Sequence, residues 1–148
     1  MEFTQRKVRD VMTPNPECVS ENDGVTEAAR IMKDQDTGVV PVVDGGKKII
    51  GLITDRDIVV RGIAQGKDLS NCQVNELMTK DVRSVREDTP VDEVLTLMSS
   101  AEIRRVPVVN GNDELVGIVS IGDIAVETNK DGKVGKAIED ISQAPPNR

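Results

Sequence analysis

Shifted by 66 positions, the sequence matches itself without a gap, with 17 identities between residues 8–61 and 74–127. Val8, Met12 and Thr13 fall on Val74, Met78 and Thr79. Val40-Pro41-Val42-Val43 falls on Val106-Pro107-Val108-Val109, and Gly51, Asp57 and Ile58 fall on Gly117, Asp123 and Ile124. A fixed-period self-match constrains the fold more than any local pattern, because both copies must suit one frame. Two copies are too few for a solenoid, and a unit of this size buries too little surface to be comfortable alone. A face-to-face pair is the expected solution.

Each copy has the same order of elements. A short extended piece, Cys18-Val19 or Ser84-Val85, precedes a helix. In the second copy Thr89 is the expected cap and Pro90 the first helical residue, with Val91, Val94, Leu95 and Met98 as the apolar stripe. In the first, Asp23 is the expected cap and Val25, Ala28, Ala29 and Met32 form the stripe. Strands Val39–Val43 and Ile49–Thr54, then Val106–Val109 and Leu115–Ser120, are joined by five-residue loops that begin Asp44-Gly45 and Asn110-Gly111. Each internal proline argues for an edge or irregular strand. A second helix starts near Asp55 and near Ile121. The copies span residues 8–62 and 74–128. A polar linker, 63–73, joins them, and a tail, 129–148, carries a short helical pattern from Val134 to Ile141.

Composition removes much chemistry. The 148 residues include no His, Trp or Tyr, and the only aromatic is Phe3. No imidazole is available as general base or metal ligand, and no aromatic platform can stack a base. A net charge of -7 disfavours nucleic acid as a partner. No apolar run is long enough for a bilayer. Cys18 and Cys72 fit no zinc spacing, and free thiols in a reducing cytoplasm are expected.

The strongest local constellation is Gly51-Leu-Ile-Thr54-Asp-Arg-Asp57, mirrored by Gly117-Ile-Val-Ser120-Ile-Gly-Asp123. A hydroxyl followed three residues later by an acid, where a strand becomes a helix, is a capping box. It is also an anion site whose acid could hold the hydroxyls of a ribose. Arg104-Arg105 precede a strand, and neighbours on a strand face opposite sides. The first copy has Gly38-Val39 there, and Arg56 faces Gly122 across the repeat, so the two sites cannot be equivalent. No phosphate loop, dinucleotide fingerprint or nucleophile-base pair is present, and no catalytic residue or cofactor is expected.

Paired copies of helix, Val-Pro-Val-Val strand and Gly-x-x-[Ser/Thr]-x-x-Asp resemble tandem CBS domains, which together make a Bateman module. Leu-Ile-Thr-Asp-Arg-Asp-Ile-Val and Ile-Arg-Arg-Val-Pro-Val-Val are similar to short stand-alone CBS-pair proteins of bacteria and archaea, the mycobacterial hypoxic-response type among them. The resemblance covers about residues 8–127. It implies an α/β (α+β) fold of two β-α-β-β-α units about a pseudo-twofold axis, with two clefts between the copies. It also implies adenosine-type ligands (AMP, ADP, ATP, S-adenosylmethionine, NAD or a cyclic dinucleotide) and a homodimer. Carried over by position, one cleft uses Asp123 on the ribose, Ser120 beside it and Arg104 on phosphate, with Thr13, Cys18 and Val39 around the adenine. The other uses Asp57, Thr54, Thr79, Ser84 and the backbone near Arg104-Arg105, with Arg56 alongside. Gly38 in place of Arg104 makes the Asp123 cleft the better nucleotide site.

Two functions follow. One is a regulatory module that senses an adenosine nucleotide and signals to a downstream protein. The other is a ligand-free dimeric scaffold in which the Thr54/Asp57 and Ser120/Asp123 boxes only cap helices.

Overall fold

The computed structural model describes residues 6–128, so Phe3 and the helical pattern at 134–141 lie outside the described residues. The chain divides into two compact units. One is Pro16–Val82; the other begins at Arg83 and includes the N-terminal segment up to Asn15.

In the Pro16–Val82 unit, β2 (Val19–Ser20) runs parallel to β3 (Val39–Val43), which pairs antiparallel with β4 (Ile49–Thr54). Helix α1 (Val25–Gln35) follows β2. After β4 come the single turn α2 (Asp55–Asp57) and a π-helical stretch, Ile58–Ile63. A 3₁₀ turn at Leu69–Asn71 and α3 (Val74–Leu77) complete the unit. Alternate residues of β3 and β4, among them Val40, Val42 and Ile53, pack with Val25, Ala28, Val74 and Leu77 in one core. Burial alternates along β4, all five residues of β3 are buried, and Ala29, expected in the α1 stripe, is exposed.

The other unit repeats the plan with β5 (Val85–Arg86), α4 (Val91–Ala101), β6 (Arg105–Val109), β7 (Leu115–Ser120) and α5 (Ile121–Thr128). Its sheet has a fourth strand, β1 (Thr13–Pro14), giving the order β1-β7-β6-β5. Val94, Leu95 and Met98 of α4 pack on Val106, Val108 and Val119, and Val8 joins them from the N-terminal segment. The α+β plan and the β-α-β-β-α order of each copy are as expected.

The structure adds an exchange of segments. Residues 8–14 of the first copy pack with the second copy's sheet, where Thr13 pairs with Ile118. Residues 74–79 of the second copy pack with the first copy's sheet, where Thr79 pairs with Leu52. Glycines let both segments approach. A Cβ on Gly51 would stand 2.7 Å from the Thr79 carbonyl oxygen, and one on Gly117 would strike the Met12 side chain.

The exchange corrects the expected caps. The residue before α1 is Gly24 and the one before α4 is Pro90, neither with a side-chain cap. The first N–H of α1 donates instead to the Cys72 carbonyl at 2.9 Å, and that of α4 to the Arg6 carbonyl at 2.9 Å. The exchanged segment satisfies the donor that a cap side chain otherwise takes. Asp23 accepts from the Ser20 N–H, and Thr89 from the Arg86 N–H.

For the prolines the edge expectation fails and the irregular one holds, since the pairing register shifts between Val42 and Val43 and between Val108 and Val109. Strands β3 and β6 are central, not edge, strands. Pro41 lies opposite Leu52, whose N–H and C=O both turn away to Thr79, so nothing on β4 requires an N–H from Pro41. On the other side β2 pairs only with Val42 and Val43. The missing donor therefore costs no ladder bond.

Candidate functional site

Both capping boxes form. Thr54 leaves β4 in extended conformation, and its Oγ1 accepts the Asp57 N–H at 3.0 Å while Asp57 Oδ2 accepts the Thr54 N–H at 3.0 Å. Ser120 and Asp123 exchange the same two bonds, each 3.0 Å. The box spends one carboxylate oxygen and holds the acid at the strand-helix junction, with Oδ1 left for another partner.

What meets that second oxygen differs between the units. Asp57 is only 5% exposed. The Thr79 hydroxyl lies 3.4 Å from both its oxygens, and Arg61 Nε lies 3.7 Å from Oδ1. Arg61 also donates from Nη1 to the Leu77 and Met78 carbonyls, at 3.4 and 3.2 Å. Asp123 is half-buried, and among the described residues its carboxylate accepts only the Ser120 N–H. Thr13, the counterpart of Thr79, makes no side-chain hydrogen bond to Asp123 among the described residues.

The cations also sort unequally. Arg105 opens β6 opposite Ser120, and the Arg104 carbonyl accepts the Ile121 N–H at 2.9 Å, so both arginines flank the start of α5. Both are half-buried, and neither guanidinium has an ion pair among the described residues. In the other unit Gly38 holds the place of Arg104. Its carbonyl accepts the Asp55 N–H at 3.0 Å, and a Cβ there would meet the Asp55 carboxylate at 3.0 Å. An anion thus stands beside the position that carries a cation in the other unit. Arg56 is exposed, and its N–H donates to Asp55 Oδ1.

The expected site residues fall into two groups. Thr13, Ser84, Arg104, Arg105, Ser120 and Asp123 belong to one unit; Cys18, Val39, Thr54, Arg56, Asp57 and Thr79 belong to the other. Val39 lies opposite Thr54, and Ser84 is exposed just before β5. Both cysteines are free, and burial raises both thiols above the ordinary value. Sequence reasoning misses Asp55 and Arg61 as site residues. The i,i+4 spacing of Asp57 and Arg61 is a visible signal, and the hairpin register that sets Val39 against Thr54 places Gly38 beside Asp55.

The CBS domain family profile matches residues 8–62 and 74–128, and the chain belongs to that family as a tandem pair. An uncharacterized Bacillus subtilis protein, YlbB, is 44% identical over 138 residues, covering 93% of this chain and 92% of that protein. Hypoxic response protein 1 of Mycobacterium tuberculosis is 37% identical over 117 residues, 79% of this chain and 81% of that protein. The crystal structure of hypoxic response protein I with two coordinated zinc ions superposes with a TM-score of 0.75, at 36% identity, covering 82% and 98% of the two chains. The CBS domain pair of protein MJ0100, in complex with 5'-methylthioadenosine and S-adenosylmethionine, gives 0.72 at 34% identity over 84% and 96%. CBSX2 in complex with AMP gives 0.72 at 25% identity, again over 84% and 96%. The chain has no histidine, and the described residues contain no group of three or more His, Cys, Asp or Glu able to hold a metal ion.

Proposed function

We propose that the chain is a non-catalytic regulatory module that binds an adenosine nucleotide of the AMP, ADP or ATP class and passes its occupancy to a downstream protein. The observation that carries this reading is the asymmetric start of α5. Asp123 has a carboxylate oxygen without a partner among the described residues, and Arg104 and Arg105, which have no ion pair among those residues, flank the start of its helix. An acid for a ribose diol and a cation for phosphate thus stand on one strand-helix junction. Asp123, Ser120, Thr13 and Arg104 form the better site. Asp57, Thr54 and Thr79 mark the matching junction of the repeat, where Asp55 opposes phosphate. The adenosine-type ligands held by the MJ0100 pair and by CBSX2 support the ligand class.

The protein is read as a cytoplasmic homodimer. No helix among the described residues is long and apolar enough to cross a membrane. Val59, Val60 and Ile63 are exposed on the helix that follows β4, and Val126 is exposed on α5. Apolar side chains repeated on both terminal helices suit burial against a second copy.

A thermal-shift panel of AMP, ADP, ATP, S-adenosylmethionine and cyclic dinucleotides tests the function. A ligand at about 100 times its Kd adds about 2.7 kcal/mol of stability. We expect a shift with at least one adenine nucleotide and its loss in Asp123→Ala. A second reading, a ligand-free scaffold, draws on the completeness of both capping boxes. No shift with any compound would establish it.

A further inference from the structure

The two acids of the repeat stand in matching places but have unlike surroundings. Asp57 accepts the Thr54 N–H, meets the Thr79 hydroxyl with both oxygens and has the Arg61 guanidinium 3.7 Å from Oδ1. A carboxylate offers about four acceptor positions. Three of them face groups of its own unit, and only 5% of the residue is exposed. A ribose diol, which needs two of them, would have to displace Thr79 or Arg61 to be received. Arg61 is itself held in place, because its Nη1 caps the C-terminal carbonyls of α3 at Leu77 and Met78. That attachment favours a cation, since carbonyl ends of a helix carry partial negative charge.

The second copy has no such cation. The residue 66 positions beyond Arg61 is Glu127, an acid. Asp123 therefore keeps an oxygen without a partner among the described residues, while Asp57 is neutralised from within.

We propose that Arg61 decides which acid of the chain receives ligand: it acts as an internal counter-ion that, with Thr79, retires Asp57 to a structural role and leaves Asp123 as the single ribose acid. Arg61 is a positioning and specificity residue, since it acts through Asp57. The inference rests on the reading that Asp123 receives a ribose. It makes the tandem module a receptor for one adenosine-type ligand per chain, although the sequence repeats the motif twice.

Isothermal titration with adenosine, which carries no phosphate to meet Asp55, tests this on the full chain. The wild type is expected to bind one equivalent per chain, and Asp123→Asn none. Asp57→Asn is expected to keep one equivalent with an unchanged Kd while melting at lower temperature. Arg61→Ala is expected to bind two equivalents, a gain that a merely structural role for Arg61 would not produce. Two equivalents in the wild type, loss of binding in Asp57→Asn, or a cooperatively folded Arg61→Ala that stays at one would each overturn the assignment. If Arg61→Ala fails to fold, the wild-type stoichiometry and Asp57→Asn decide it. Absence of any binding by the wild type would instead refute the ribose reading on which the assignment rests.

Discussion

Thr79 and Leu52 exchange both backbone hydrogen bonds, the Thr79 N–H donating at 2.8 Å and the Leu52 N–H at 2.9 Å. The same Thr79 aims its hydroxyl at Asp57. One residue thereby fixes the exchanged segment to β4 and supplies a partner to the buried acid. The pairing depends on Gly51, where a Cβ would stand 2.7 Å from the Thr79 carbonyl oxygen and 3.2 Å from Met78 Sδ. Gly51→Ala must push the segment away. We expect a loss of about 1–3 kcal/mol, measured by urea denaturation.

Arg104 has no counter-ion among the described residues and sits beside the Ser120/Asp123 junction. If it meets phosphate, Arg104→Ala should weaken AMP binding about tenfold. Adenosine affinity should be unchanged. Parallel titrations with the two compounds separate a phosphate contact from a general loss of the site.

The Glu76 carboxylate is held below the usual range, chiefly because it accepts the Gln73 N–H at 2.7 Å. A depressed folded value means the group stabilises the fold above its unfolded pKa of about 4.3. That contribution is lost as pH falls through the lower folded value. Glu76→Gln keeps an acceptor but cannot titrate. Its stability should fall less steeply than the wild type's below about pH 4.5, as read from melting temperatures across that range.

Val126 is 85% exposed and Ile63 is 59% exposed. Replacing either by Asp removes few contacts within the chain, so chain stability should change by no more than about 0.5 kcal/mol. If these helices bury against a second copy, each variant should shift the protein from dimer to monomer in analytical ultracentrifugation. An unchanged sedimentation coefficient would sink that interface.

Much of the fold is legible in the amino-acid sequence. The Val-Pro-Val-Val strands, the hairpins and the strand-to-helix junctions follow from short apolar runs, turn residues and local hydrogen bonding, which sequence reports directly. The capping boxes are local as well, so spacing alone locates Thr54/Asp57 and Ser120/Asp123. The features that escape a sequence reading are long-range. Thr89 and Asp23 are good caps by type, but the Cys72 and Arg6 carbonyls take the helix donors instead, from segments remote in sequence. Pro41 reads as an edge residue because its tolerance in a central strand depends on Leu52 facing Thr79. Arg61 lies in plain view at i,i+4 from Asp57, yet its hold on the Leu77 and Met78 carbonyls belongs to tertiary structure.

The exchanged segments also set an order of birth. The Pro16–Val82 unit is contiguous, so all its parts have been synthesised once residue 82 has been added. The other unit has its first strand at Thr13–Pro14 and that strand's partner at Leu115–Ser120. During synthesis the N-terminal segment must wait, unpaired, while the unit between is made and closes. Domains generally fold as units as the chain emerges, but here the unit containing the N-terminus is the last to be completed. A chain ended at residue 82 would contain every part of one half and a short strand still lacking its sheet.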